Sequence, residues 1–445
     1  MCAVAAAGVR GAKELRLAGQ NMVPVSKEDD PEQRYQSSGD CAYRPPTGRQ
    51  RIDQRIVCCG LLREHATVMS TPMHQTVDMP GWNVGWGVAR SCNMGCRFCY
   101  SRIAHDASSS PKGANLAPYL QFVRDNALEL ATINWGTTEN TTAGEWYELV
   151  SAIQGIAPHV VQAVTTNGYL ARACRADVGR EEVFVRCVRE VDVSLDFCSP
   201  ERHNLFRGHP EAFAMALETL EFCRRHSVPR SLVMLACGET LFPENLDGLF
   251  RIAAHYDAHV RLSILRPVRG CQLAPLDYGQ LRAGLRWITE RHDAVSLSDP
   301  LFAALAGCPT SDPAGLRSAR ILPNGDVTPC TYLIEPPWVA ANIYRERVQL
   351  NEIGSRWAFR ALREPVQPEP CRECTLWSAC GGGAKDRRIL AGGSLATRDP
   401  YCPRLHDDGL HWFSGRTAHM KESSAPLVHA AYLSTLIFAH GAGNN

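Results

Sequence analysis

The chain has 445 residues, of which 45% are apolar and 21% charged, with a formal net charge of +1. That composition is ordinary for a folded globular protein, leaves no electrostatic footprint for nucleic acid, and holds no apolar run of the ~18 residues that a membrane span needs. The start, MCAVAAAGVRGAKELRLAG, is interrupted by Arg10, Lys13 and Glu14 and makes a poor secretory signal, so the expected compartment is cytoplasmic.

Residues 1–75 read as an irregular N-terminal extension, polar at SKEDDPEQRYQSSGD and turn-rich at YRPPTGRQR. Cys58 and Cys59 lie there, and adjacent cysteines make a poor chelate. From residue 82 to 298 short apolar runs alternate with amphipathic stretches. The predicted strands are Trp82–Val88, Ala131–Trp135, Val160–Thr165, Val191–Phe197, Ser231–Ala236 and Val260–Leu265. The predicted helices are Tyr119–Leu130, Gly144–Ile156, Glu181–Glu190, Ala212–His226, Leu246–His255 and Tyr278–His292. This alternation predicts an α/β fold, a parallel sheet with helices outside, curled by right-handed crossovers into a partial (β/α)6 TIM-like barrel. Functional groups then belong at the C-terminal ends of the strands. Residues 300–414 are short Pro-, Gly- and Cys-rich segments, a small domain that ligand bonds are expected to organise. Residues 415–445 read as a C-terminal tail in which LVHAAYLSTLIFA, 427–439, has the pattern of a terminal helix.

Nineteen cysteines, an odd number with several at short gaps, point to metal ligation rather than disulfides. The first group is the Ser91–Tyr100 stretch SCNMGCRFCY, which places Cys92, Cys96 and Cys99 directly after the first strand. A cubane cluster takes one ligand per iron, so three thiolates leave one iron open to another molecule. A zinc knuckle is the competing reading, but structural zinc wants four ligands, usually as two close pairs.

This spacing, with an aromatic, Phe98, before the third cysteine, resembles the signature of the radical S-adenosylmethionine (SAM) superfamily. The resemblance implies a four-iron four-sulfur cluster whose open iron binds SAM. It also implies reductive cleavage to a 5′-deoxyadenosyl radical that abstracts hydrogen from a substrate, and a flavodoxin- or ferredoxin-type reductant. It carries further positions with it. Gly136 and Glu139 stand where the family has a Gly-Gly-Glu-Pro-type motif, with Glu139 as the carboxylate expected to receive the SAM ammonium, while the motif's glycines and proline are Thr137, Thr138 and Asn140 here. Thr165-Thr166-Asn167-Gly168 matches a common family turn. Ser194 and Arg207, in a stretch resembling the branch with auxiliary clusters, are expected partners of the SAM carboxylate; Asp196 is expected to touch substrate or to cap a turn. Leu265-Arg266-Pro267 falls where the adenosyl group is cradled.

Cys371, Cys374 and Cys380, then Cys402, preceded by Cys308 and Cys330, resemble the SPASM module, an extension that binds auxiliary iron–sulfur clusters. The cysteine that the module carries four residues past Cys380 is Ala384 here. One grouping gives an auxiliary cluster to Cys371, Cys374, Cys380 and Cys402, with Cys308 and Cys330 as further ligands. The rival, twitch-like grouping takes Cys308, Cys330, Cys371 and Cys374, and zinc is the plain alternative for the first four. Cys237 and Cys271, near strand ends, are candidate hydrogen donors to a substrate radical, although a buried cysteine usually only packs. Cys174, Cys187, Cys198 and Cys223 read as core.

The expected function is a radical SAM enzyme that oxidises, epimerises or otherwise modifies a small molecule in natural-product biosynthesis, because no peptide-recognition domain is legible before the barrel. Modification of a ribosomally made peptide is the alternative. From another class, the rival is a non-catalytic metal-binding or electron-transfer protein.

Overall fold

The computed structural model describes residues 81–101, 115–410, 412–413 and 427–441. The expected N-terminal extension, with Cys58 and Cys59, lies outside the described residues. Eleven strands form one sheet: β1 (Trp82–Trp86), β2 (Leu130–Trp135), β3 (Val161–Thr166), β4 (Val188–Ser194), β5 (Arg230–Ala236), β6 (His259–Ile264), β7 (Ala294–Leu297), β8 (Ser318–Ile321), β9 (Asp326–Thr328), β10 (Ala341–Asn342) and β11 (Leu436–Phe438). Their order is β10-β9-β8-β1-β2-β3-β4-β5-β6-β11-β7. β1 to β6 pair in parallel with consecutive neighbours, as right-handed strand–helix–strand units require. The sheet has two ends, so this is the expected partial barrel.

Sequence makes this layer for a clear reason. Every residue of β1 and β2 is buried, the pattern of parallel strands covered on both faces. The helix Gly144–Ile156 turns Trp146, Leu149, Val150 and Ile153 inward, one face of a 3.6-residue period. All six expected strands are present, although β4 starts and ends three residues earlier than Val191–Phe197. The charged end of the preceding helix pulled the expected boundary late: that helix spans Val178–Cys187 and Asp177 caps it.

Two findings depart from the sequence reading. The Cys-rich region joins the barrel sheet: β8 pairs in parallel with β1, and β9 and β10 extend that edge antiparallel. A buried charge network fastens the rest of it. Arg387 bonds Asp299 at 2.6 Å and Asp399 at 2.5 Å, while Arg266 bonds Asp386 at 3.1 Å.

The second departure corrects the C-terminal tail. Residues 427–441 form a short helix, Val428–Tyr432, and β11, which fills the space between β6 and β7 antiparallel to both. The expected helix over 427–439 therefore ends at Tyr432. Leu436, Ile437 and Phe438 instead complete the sheet and bury their side chains. An apolar run this short carries no period that separates strand from helix.

Candidate active site at the open end of the barrel

Cys92, Cys96 and Cys99 lie on the loop after β1, at the C-terminal end of the strands, and all three are half-buried thiols outside any disulfide. Two elements hold that loop. The turn after β3 brings Asn167, whose Nδ2 donates to Cys92 Sγ at 3.6 Å and to Asn93 Oδ1 at 2.8 Å. Gly168 makes that turn with φ +104°, where a Cβ would stand 2.5 Å from the Ala216 backbone nitrogen. The helix Pro200–Arg207 brings the other support. Ser199 caps its start, Pro200 opens it and Gly208 ends it in the left-handed conformation. Its last residue, Arg207, is buried beside Cys96, whose Sγ lies 3.5 Å from the Arg207 carbonyl.

Arg207 also donates to Asp196 Oδ2 at 2.6 Å. Burial works against its charge, and Asp196 and Cys96 outweigh that, so its pKa is raised. Asp196 Oδ1 accepts from the Leu235 backbone N–H at 2.9 Å. Asp196 is therefore neither a turn cap nor a group facing substrate: it anchors Arg207 to β5. Phe98 stacks on Phe206 at 4.5 Å, and the Arg207 guanidinium covers its ring at 5.1 Å.

Glu139 is fully buried. Its Oε1 accepts from Thr141 at 2.5 Å and Thr166 at 3.0 Å, and its Oε2 from the Asn167 backbone N–H at 2.6 Å. Burial raises its pKa against those hydrogen bonds. It stands close enough to help burial push the Cys92 thiol up to about 12. A thiol so shifted becomes a thiolate only when a metal takes the proton's place.

Beneath the cysteine loop a cavity of about 140 Å³ opens inside the barrel. Phe98, Gly136, Ser194 and Arg207, the residues the sequence offers for the cofactor, line it with Leu265 and Arg266. Glu139, Cys237 and Cys271 do not. Cys237 is buried among Phe197, Phe206 and Leu265 beside Thr240, so it is a packing residue. Cys271 is half-buried, with its sulfur 3.8 Å from the Leu273 carbonyl. Cys174, Cys187, Cys198 and Cys223 are in the core, as expected.

Sequence reasoning missed Arg261, Thr331, Tyr332 and Tyr432, which also line the cavity. One signal was available: Arg261 and Ser263 share a face of β6, the strand whose end the Leu265-Arg266 expectation already placed at the site.

Below the cavity His429 meets Glu190 and Asp192, three fully buried residues whose ligand atoms all lie within 4.8 Å of one another. Hydrogen bonds reach only the outer ring nitrogen of this cluster, while Glu190 Oε1, both Asp192 carboxylate oxygens and His429 Nδ1 have no hydrogen-bond partner. Asn134 Oδ1 accepts from the Tyr432 hydroxyl at 2.6 Å, which turns its amide nitrogen to His429 Nε2, also at 2.6 Å. That ring nitrogen must accept, so the proton sits on Nδ1 and points to Asp192. Burial lowers the His429 pKa to about 3, in keeping with a neutral ring.

Among the described residues that cluster is the one group of three such donors drawn within 4.8 Å. In the C-terminal region Cys380 feels the charges of Cys374, Cys371 and Cys402, while Cys330 feels Asp386 and lies 3.8 Å from it. Cys371, Cys374, Cys380 and Cys402 are thus near enough for their charges to act on one another.

Residues 86–251 match the radical SAM superfamily, and residues 308–375 match SPASM, an iron–sulfur cluster-binding domain. The chain belongs to the radical SAM superfamily. It is a radical SAM enzyme, with a four-iron four-sulfur cluster and SAM as cofactors and a SPASM domain for auxiliary iron–sulfur binding. Mycofactocin maturase MftC of Mycolicibacterium smegmatis is 26% identical over 332 residues, 71% of this chain and 81% of its own length. Among solved structures, native anSMEcpe with bound AdoMet superposes with a TM-score of 0.55 at 16% identity, covering 73% of this chain and 95% of that one. Streptococcus suis SuiB bound to precursor peptide SuiA gives 0.55 at 12% identity, covering 73% and 76%. At such identities the two structures speak for the fold. No helix of the described residues is long and apolar enough to cross a membrane.

Proposed function

We propose that this radical SAM enzyme matures a peptide, with Cys92, Cys96 and Cys99 holding the catalytic cluster. The expectation of a small-molecule substrate gives way to its alternative. That expectation rested on residues 1–75, which lie outside the described part, whereas the similar proteins are named as a maturase and as a protein bound to a precursor peptide. The observation that carries the cluster assignment is the convergence of Asn167 and Arg207 on Cys92 and Cys96 at the mouth of the cavity.

When bound, the cluster supplies one electron and SAM the adenosyl group, which together give hydrogen-abstraction chemistry. The chain's own residues prepare the place for it. Asn167 and Arg207 offset negative charge on the sulfurs and fix the loop. Ser194 and Arg207 offer a hydroxyl and a guanidinium to the cofactor's carboxylate. Glu139, behind the cavity wall, holds the Asn167 backbone N–H with Oε2, while Thr141 and Thr166 orient its other oxygen. The apolar walls of Phe98, Val233, Leu235 and Leu265 exclude water from the reacting centre. Cys371, Cys374, Cys380 and Cys402 hold one auxiliary cluster, and their thiols supply all four of its ligands.

Deuterium transfer tests the substrate class. Reconstituted enzyme is reduced with SAM beside the small-peptide fraction or the free-metabolite fraction of source cells grown in deuterated medium. Deuterium entering 5′-deoxyadenosine from the peptide fraction supports this reading. Label arriving only from the metabolite fraction overturns it.

A further inference from the structure

We infer that the inner end of this cavity is a receptor for a substrate carboxylate carried on a small apolar body, with Arg261 as its principal contact. Resting on the function proposed above, it specifies which part of the substrate the cavity grips.

Three arginines line the cavity, and no lining residue is acidic. Two of the three are hydrogen-bonded to carboxylates: Arg207 to Asp196 at 2.6 Å and Arg266 to Asp386 at 3.1 Å. Arg261 is 2% exposed and pairs with Asp192 at 3.6 Å, beyond hydrogen-bond distance, so its charge is opposed while its fork stays open. Its Nε and Nη1 have no hydrogen-bond partner. Neither do Arg266 Nη2 and the Thr331 hydroxyl, also buried and also on the cavity wall. Buried donors without acceptors are costly, more so on a charged group. Four such atoms around one space define a site for an anion with paired oxygens, which the guanidinium fork takes in bidentate fashion.

Two of the lining hydroxyls are committed elsewhere. The Tyr100 hydroxyl donates to the Gly136 carbonyl at 2.8 Å, and the Tyr432 hydroxyl donates to Asn134. Val233, Leu235 and Leu433 supply apolar wall, which suits a carboxylate on a hydrocarbon stem better than a free inorganic anion. Of the β6 residues that line the cavity, Arg261 comes before Ser263, and Leu265 follows the strand's end, so Arg261 is farthest along the chain from the strand end that faces the cysteine loop. The carboxylate would thus sit deepest, with the attached carbon atoms toward the reacting centre.

Butyrate and its neutral isostere butyramide are the probes, added to reconstituted holoenzyme with SAM under anaerobic conditions. Ligand NMR line broadening reads their binding. Butyrate should bind about tenfold or more tightly than butyramide, the scale of a charge-assisted hydrogen-bond pair, and Arg261→Gln should erase that preference. Thr331→Val, at the cavity wall, should weaken butyrate severalfold and serves where Arg261→Gln does not fold. N-acetylvaline, with a terminal carboxylate, and N-acetylglutamate α-amide, with a side-chain one, then tell the two sources apart. Equal binding of butyrate and butyramide, an unchanged preference in both variants, or binding of inorganic phosphate alone overturns the inference. Formation of 5′-deoxyadenosine by the wild type, measured on the same sample without probe, reports separately on the function itself.

Discussion

The Tyr432 hydroxyl donates to Asn134 Oδ1 at 2.6 Å and so ties the C-terminal segment to β2 inside the barrel. Tyr432→Phe leaves the buried Asn134 Oδ1 only the long 3.4 Å bond from Thr165 and should cost about 1 kcal/mol. His429→Ala should cost more, because it removes the ring that partners Asn134, Thr165 and Asp192 together. Thermal unfolding of the two variants checks the order. An unchanged midpoint in both would show that the segment does not depend on these bonds.

Burial raises the Glu190 carboxyl from 4.5 to about 7, against the hydrogen bond it takes from the Val428 backbone and the charge of Arg261. Below pH 4.5 the folded and unfolded chains both hold this proton, so nothing is lost there. Between pH 4.5 and about 7 the unfolded chain releases it and the folded chain keeps it, so stability falls as pH rises. At ~1.4 kcal/mol per pH unit across that window the loss reaches about 3 kcal/mol. Glu190→Gln should match the wild type near pH 5 and exceed its thermal midpoint at pH 8. Equal midpoints at pH 8 would refute the assignment.

Asp196 is wholly buried against Arg207. Removing the carboxylate leaves Arg207 uncompensated at a cost of ~3–5 kcal/mol in both variants, and Asp196→Asn should recover about 1 kcal/mol over Asp196→Ala because it keeps one oxygen for Arg207 or Leu235. Denaturant unfolding of the two variants measures the difference, and parity between them would count against the pairing.

The C-terminal cysteines separate by iron content. Cys374→Ser should lose about four irons, one cubane cluster, if Cys371, Cys374, Cys380 and Cys402 form the set, and Cys330→Ser should lose none. Comparable loss in both would favour the rival set of Cys308, Cys330, Cys371 and Cys374.

The six parallel strands were legible because buried runs such as VQAVTT and VREVDVS alternate with amphipathic helices at regular spacing. The cysteine loop and Ser194, Arg207 and Phe98 were legible from motif and strand position. The C-terminal segment was not: VHAAY and LIF are too short to show a period, and their places are set by contacts with β6, β7 and the barrel interior. Thr331 and Tyr332 were hidden for a related reason, since they follow a hairpin that returns to the cavity only in three dimensions.

The most direct test is to reconstitute the protein anaerobically, count iron and sulfide, reduce it with SAM, and assay 5′-deoxyadenosine beside a Cys92/Cys96/Cys99→Ala variant. The account predicts about eight irons in the wild type, about four in the variant, and SAM cleavage in the wild type alone. Equal iron in both proteins, or cleavage that survives the triple substitution, would contradict it.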